Sequence, residues 1–467
     1  MTHMHVAGSI HADTFSPAPK WLQAPGDVNE LVGHLWSENV ERGADGALRV
    51  AGLDANTIAE RVDTPAYVVD EDDFRARARA FADAFSGWDV YYAAKSFICK
   101  AAVRWITEEG LGVDVCSGGE LQVALAGGAD PARIGLHGNN KSEAELRLAI
   151  ESGVGRVIVD SVTEIERLEA LAAEYDRRVG VMVRVTAGVE AHTHEYIATA
   201  HEDQKFGLSI TSGQALAALQ QCHAAPHLDL RGIHSHIGSQ IFDTSGFEVA
   251  VRRTLALHVD FTSATGDALP ELDLGGGFGI AYTTLDSPVP VADLAAQLRT
   301  IVARECKGFE IDPPRLSIEP GRAISGPAAF ALYTVGTVKH VQLDGGASRC
   351  YVSVDGGMSD NIRPALYGAE YSATVANRAS DAGAMLCRVV GKHCESGDIL
   401  VRDEFLPADV APGDLVAVPG SGAYSRSMAS NYNNALRPPV VAVRDGELVT
   451  LIRRETMDDL LSLDVGH

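Results

Sequence analysis

Four groups of residues in this chain have types and spacings that suit chemistry. Lys95 follows the apolar stretch YYAA, where loss of water would lower an amine's pKa and favour the neutral form that condenses with an aldehyde. A lysine snorkelling out from the end of a strand reads equally well. GGGFG at 275–279 offers three successive residues without Cβ, a nest in which consecutive backbone N–H groups approach a phosphate, although triple glycine is also a plain flexible turn. HSHIGSQ at 234–240 sets His234 and His236 two apart, on one face of a strand, with Ser239 just beyond. A histidine stacked on a flat heteroaromatic ring, beside a hydroxyl on its phosphate, accounts for this triplet better than a metal site, because no second histidine pair with a bridging lysine or aspartate accompanies it. His234 taken alone also reads as a hydrogen-bonded core residue. SIEPGR at 317–322 places Glu319 and Arg322 across a Pro-Gly turn: a carboxylate able to keep a pyridine nitrogen protonated beside a guanidinium for an anion, or a surface ion pair.

These groups need elements to position them. From residue 89 onward eight short apolar segments recur, each followed by helical periodicity: DVYYAAKSF, LGVDVCS, RIGLHGN, RVIVDS, GVMVRVT, LRGIHSHIGS, ELDLGGGFG and RLSIEPGR. The stretches SEAELRLAIESG and SVTEIERLEALAAEY between them open on an N-cap serine and continue with apolar spacings of three and four. Strands alternating with helices in this number predict a (β/α)8 barrel, with reactive groups at the C-terminal ends of the strands. The polar residues fall there: Lys95, Asp114 and Ser117, His137 and Asn139, His234, His236 and Ser239, Gly275, Gly276 and Gly277, Glu319 and Arg322. Beyond about residue 328 the texture changes to β-branched runs separated by Gly, Asp and Pro, which reads as a mainly antiparallel β domain. The expected organisation is an N-terminal segment (1–67) adding strands to that β domain, a barrel (68–328) and the C-terminal β domain (329–467).

A length of 467 residues accommodates two such domains, and the formal charge of −24 disfavours nucleic acid or anionic membranes as partners. Seven scattered cysteines without CxxC pairing point to a reducing cytoplasm and to no metal site. The N-terminus has neither the basic region nor the apolar run of a signal peptide, and no apolar stretch is long enough to span a bilayer.

The motifs AAKSF, DVCSGGEL, HGNNKS, HSHIGSQ, DLGGGFG and EPGR, in this order, closely resemble the diaminopimelate decarboxylases, members of the alanine-racemase-like group of pyridoxal-phosphate enzymes. The resemblance runs from about residue 48 to 455, and GVEAHTHEYIATAHEDQKFG (188–207) is similar to the actinobacterial members. It implies pyridoxal 5'-phosphate as cofactor, with Lys95 as the amine that takes its aldehyde, His236 stacked on its ring and Glu319 paired with its ring nitrogen. Asp114, Ser239, Gly275, Gly276, Gly277, Gly321, Arg322 and Tyr424 complete the implied cofactor surroundings. DNIRPALYGA at 360–369 implies Arg363 and Tyr367 as substrate residues, with Glu395 from CES (394–396), Arg322 and Tyr424. Lys95 and Cys394 are the implied catalytic residues, and a homodimer with shared active sites the implied assembly. The substrate would be meso-diaminopimelate, which carries an ammonium and a carboxylate at each end. That suits the arginines and Glu395, whereas a pocket for simple diamines has no use for the arginines. Other decarboxylases of the fold (ornithine, arginine, carboxynorspermidine), a racemase and a non-catalytic pyridoxal-phosphate carrier are the competing readings. The sequence departs from many relatives at NYNNALRPPVVAV, after Tyr424, and in its N-terminal extension.

Overall fold

The structure is a computed structural model and describes residues 18–188, 205–342 and 348–466. The actinobacterial-like stretch at 188–207 therefore lies largely outside the described residues. The chain divides into two compact units: Arg75–Gly279 with Pro288–Ile324, and Met1–Phe74 with Ile280–Ser287 and Ser325–His467. The divisions lie close to residues 67 and 328, but the return of Ile280–Ser287 to the second unit has no counterpart in the expected organisation.

The first unit is the barrel. Its strands are Asp89–Ala93, Gly112–Val115, Ile134–Leu136, Arg156–Val159, Val179–Thr186, Leu228–Ser235, Glu271–Asp273 and Arg315–Ile318, numbered one to eight below. All pair in parallel, and strand eight pairs with strand one to close the ring. Such strands are covered on both faces and are rich in apolar residues, here interrupted by charged residues such as Asp114, Arg156 and Asp273. The helices follow local signals. Glu143–Ser152 starts on a capping box in which Ser142 and Glu145 satisfy each other's backbone N–H groups, and Gly153 ends it in the left-handed region at φ 74°. Val162–Glu174 starts on Ser161, whose side chain accepts the Glu164 N–H.

The second unit is built on a mixed, mainly antiparallel sheet. Ala66–Asp70 lies between Ala329–Gln342 (antiparallel) and Val440–Arg444 (parallel). This strand, which crosses the expected boundary at residue 67, is thus a central strand of the C-terminal sheet. The N-terminal segment adds a small antiparallel sheet, Val40–Arg42, Leu48–Val50 and Leu53–Asp54, and one helix, Ala55–Val62, capped by Asp54. Leu48, Val50, Ile58, Val68, Phe330, Leu332, Val441 and Val443 pack as one apolar core, so residues far apart in the chain share a single interior. No helix of the described residues is long and apolar enough to cross a membrane.

Candidate active site

At the C-terminal mouth of the barrel the predicted residues of strands one, two, three, six, seven and eight converge. Glu319 is buried, with His234 Nε2 at 3.0 Å and His137 Nε2 at 3.2 Å from its Oε1. His137 also lies 3.3 Å from Asp114 Oδ1. These approaches are close in distance but poorly aligned, so Glu319 Oε1, both ring nitrogens of His234 and both oxygens of Asp114 have no well-formed hydrogen bond. Unsatisfied buried polar atoms in such number are costly and point to a polar ligand.

The charges in this cluster follow from burial and mutual distance. Burial pushes the Glu319 carboxyl up, but His137 and His234 outweigh it and hold the group well below the usual carboxylate range. Burial, reinforced by Glu319, raises Asp114 to about 7. Burial alone would lower His137, yet Glu319 and Asp114 raise it to about 9. His234 is lowered, mainly by desolvation. Glu319 thus stays ionised, as a partner for a protonated ring nitrogen must.

Beneath these groups Arg156, on strand four, donates to Asp273 Oδ2 at 2.6 Å and to Ser317 Oγ at 3.2 Å, with its guanidinium carbon 3.8 Å from the centroid of the Tyr91 ring. It lies 4.0 Å from Glu319. The sequence reading passed over both Arg156 and Asp273, because RVIVDS and ELDLGGG read as plain strands. The only available signal was an arginine at the start of a segment that is otherwise fully apolar.

Arg322 Nη2 donates to Ser239 Oγ at 2.7 Å, joining strand eight to the loop after strand six at the expected anion site. The glycines there are demanded by space. A Cβ on Gly275, at φ +70°, would meet Ser235 O at 2.5 Å, and one on Gly321 would meet Ala93 O at 2.8 Å. The nest reading needs correction, however. Gly275 N–H is already donated to Asp273 Oδ1 and Gly276 N–H to His236 Nδ1, so these glycines provide close backbone approach and not a row of free donors. Lys95 sits in a short 3-10 turn, Ala94–Ser96, and is exposed although both neighbours are buried. Its charge reaches His236, whose pKa burial and Lys95 together hold well below the ordinary value. Ser117 caps the helix Gly118–Ala126, a structural role, and Asn139 is exposed.

His137, His234 and Glu319 bring three donor atoms within 4.8 Å of one another, an arrangement a metal ion could use. The sequence speaks against metal through its lack of a second histidine pair with a bridging lysine or aspartate; the cluster here is instead a single histidine from another strand, His137, with His234 and Glu319. A metal-ligating histidine must be unprotonated, whereas this environment favours proton binding by His137.

Residues 71–326 match the family model of the pyridoxal-dependent decarboxylases, pyridoxal-binding domain. The curated diaminopimelate decarboxylase of Mycobacterium tuberculosis is 54% identical over 444 residues, covering 94% of this chain and 99% of its own. That of Mycobacterium leprae is 51% identical over 473 residues, covering 99% and 100%. This chain belongs to the diaminopimelate decarboxylase family. Among solved structures, the diaminopimelate decarboxylase of M. jannaschii in complex with L-lysine superposes with a TM-score of 0.85 at 30% identity, covering 92% of this chain and 98% of that one. Pyridoxal phosphate is the family's cofactor, and the barrel's unsatisfied acids and imidazoles, its crowded glycines and the Arg322–Ser239 pair fit it.

The second unit of this decarboxylase-family chain carries the remaining predicted residues. Arg363 opens the short helix Arg363–Tyr367, with Pro364 in its first turn and Gly368 ending it in the left-handed region. Tyr367, four residues on, shares its face of the helix. The Arg363 guanidinium is buried against three tyrosines: it donates to Tyr371 OH and lies 4.7 Å from the Tyr282 ring centroid and 6.0 Å from that of Tyr424. Burial opposes its charge, but the Tyr282 and Tyr371 phenol oxygens more than offset this, and the pKa is raised. Among the described residues no carboxylate lies within ion-pair reach of it. The sequence reading missed Tyr282 and Tyr371, which gave no local sign of facing an arginine. Tyr424 is half-buried and held at φ +61°, a backbone conformation uncommon for a bulky side chain and typical of functional segments. Cys394 and Glu395 are exposed on a turn closed by Asp398 N–H to Glu395 O at 3.1 Å.

Proposed function

We propose that this protein decarboxylates meso-2,6-diaminopimelate to L-lysine and CO2 with pyridoxal phosphate, the last step of lysine biosynthesis. The observation that carries the substrate reading is Arg363, a buried guanidinium among tyrosines without a carboxylate partner in the described residues. A buried charge is costly unless paired, so such a group is matched by an anionic ligand. The distal carboxylate of diaminopimelate supplies one, and ornithine and other diamine precursors do not. A carrier without a substrate would have no use for the arginine, nor for Cys394 and Glu395.

Bound pyridoxal phosphate supplies the sink for the electron pair left when CO2 departs. Lys95 is the amine that holds the cofactor. Glu319, ionised between His137 and His234, accepts the ring N–H, while Asp114 lies on the far side of His137. His236 would stack on the cofactor ring and Arg322, Ser239, Gly275, Gly276, Gly277 and Gly321 would hold its phosphate, with Tyr424 a further cofactor and substrate residue. Arg322, Arg363 and Tyr367 orient the substrate, and Glu395 pairs with its distal ammonium. Cys394 returns the proton to the α-carbon, with Lys95 the competing donor. The enzyme works as a cytoplasmic homodimer in which Cys394 and Glu395 of one copy complete the site around Lys95 of the other. Seven unpaired cysteines support a reducing compartment.

The test is direct. Purified protein with pyridoxal phosphate and meso-diaminopimelate should release CO2 and L-lysine, with ornithine and arginine inert. Equal or faster turnover of ornithine would overturn the substrate reading. For the shared site, inactive Lys95→Ala and Cys394→Ala subunits, dissociated and reassociated together, should regain about a quarter of wild-type activity. No recovery despite confirmed exchange would place Cys394 in the same subunit's pocket as Lys95.

A further inference from the structure

We propose that Tyr371 is the positioning residue for Arg363: its hydroxyl holds one nitrogen of the guanidinium, so that the opposite edge of the group grips the distal carboxylate of the substrate. This rests on the reading of Arg363 as the partner of that carboxylate. Both residues belong to the second unit of one chain, and their contact is the same whichever copy supplies Glu395.

Arg363 Nη1 donates to Tyr371 OH, and the backbone N–H of Arg363 is donated to Asn361 Oδ1 at 3.3 Å. Nε and Nη2 have no hydrogen-bond partner among the described residues. The N–H bonds of these two nitrogens leave the same side of the planar group, away from the Nη1 contact, and form a fork that matches a carboxylate. An arginine stem is flexible, whereas its guanidinium is a rigid plane. Holding Nη1 therefore sets the direction in which the Nε and Nη2 edge points.

Tyr371 is a fixed acceptor. Its side chain is 1% exposed, and its ring packs edge-on against Tyr282 with 4.9 Å between centroids. The chain just beyond it is tied down by Ala373 N–H, donated to Glu404 Oε2 at 3.1 Å. Tyr282 has little room to move: a Cβ on Gly420, at φ +69°, would meet its Cδ1 at 3.0 Å. The loop leading into Arg363 is held separately, by Tyr67 OH donating to Asp360 O at 2.5 Å and Tyr333 OH to Asp360 Oδ1 at 2.8 Å. The two cage tyrosines thus differ in what they offer. Tyr282 presents its ring, 4.7 Å from the guanidinium carbon, and Tyr371 presents its hydroxyl.

The choice of a phenol has a consequence for selection. A carboxylate in its place would also orient the guanidinium, but it would neutralise the charge inside the protein. A phenol is neutral at ordinary pH, so it orients Arg363 and leaves the charge for the substrate to match.

Two inhibitors isolate the contact. L-Lysine, the product, keeps the distal carboxylate, and 1,5-diaminopentane differs from it only in lacking that group. Their inhibition constants are measured against meso-diaminopimelate turnover by the holoenzyme. Tyr371→Phe keeps the ring and removes the hydroxyl. It should weaken L-lysine about tenfold and leave 1,5-diaminopentane unchanged, with the cofactor's visible absorption also unchanged. If Tyr371→Phe fails to fold, Tyr371→His, which keeps a ring with an acceptor nitrogen, should show the same selective weakening to a smaller degree. Equal weakening of both inhibitors, or a lower melting temperature with neither affected, would make Tyr371 a structural residue and overturn the inference. Arg363→Ala separates the two levels. If it weakens L-lysine alone while Tyr371→Phe weakens neither inhibitor, only the role of Tyr371 falls; if it leaves L-lysine unchanged, the reading of Arg363 falls and the role of Tyr371 with it.

Discussion

The barrel mouth and the Arg363 cage deal with buried charge in opposite ways. In the barrel, Arg156 is paired with Asp273, and His137 lies between Glu319 and Asp114, so cations and anions are matched inside the protein. In the second unit, Arg363 is surrounded by aromatic rings without a carboxylate among the described residues. On the proposed reading, the difference corresponds to two kinds of ligand. A resident cofactor needs a field that is set before it arrives, so that Glu319 is ionised whenever the ring nitrogen is present. A transient substrate is selected best by a charge that only the correct substrate neutralises.

The strongest way to break the barrel's side of this contrast is to remove the amine proposed to hold the cofactor. Lys95→Ala should lower turnover by about 10²–10⁴-fold or more, and borohydride reduction of the wild-type protein should place the pyridoxyl label on Lys95 in a peptide map. Label on another lysine would refute the assignment.

The matched charges predict a large stability effect away from the reacting atoms. Arg156→Leu leaves Asp273 buried without its cation and should cost about 3–5 kcal/mol, read as a lower unfolding midpoint in urea. Adding Asp273→Leu should recover part of the loss, because the uncompensated charge then goes too. If the double variant proves less stable than the single one, charge matching is not what holds this cluster.

The unmatched cation predicts an effect on catalysis. Arg363→Ala should reduce kcat/KM for diaminopimelate by about 2–4 kcal/mol in transition-state stabilisation, and Arg363→Lys should restore it only in part, since lysine lacks the bidentate fork. Unchanged kinetics in Arg363→Ala would mean that the tyrosine cage is structural.

The smallest effect is a pH dependence of the cofactor-free protein. Asp114, raised to about 7, keeps its proton in the folded state after the unfolded chain has lost it, so its contribution is lost as pH rises from about 4 towards 7. His137, raised to about 9, contributes fully below its ordinary value near 6.5 and loses this as pH rises through 9. Both slopes have the same sign. The melting temperature of the cofactor-free protein should therefore fall by a few degrees between pH 6.5 and 9, and a flat or rising curve would show that the cluster is not charged as described.

Much of this protein is determined by its sequence because the relevant physics is local. The capping box of Ser142 and Glu145, the apolar spacing behind Ser161 and the short, largely apolar strand segments each lie within a few residues, and they predict the barrel and the ends of its strands. The positions of the candidate residues Lys95, His236, Glu319 and Arg322 at one mouth were legible for the same reason, since strand ends in such a barrel face one mouth. Only the tertiary structure decided which charges meet. Closing the barrel brings Arg156 on strand four to Asp273 on strand seven, and His137 and His234, from strands three and six, to the same carboxylate oxygen. Packing of the second unit encloses Arg363 in Tyr282, Tyr371 and Tyr424, and leaves Cys394 and Glu395 exposed beside a buried His393. The exposure of Lys95 was not readable from its apolar neighbours either. Ionisation and solvent access are sums over every group that surrounds a side chain, and those neighbours are set by closure of the fold and not by order along the chain.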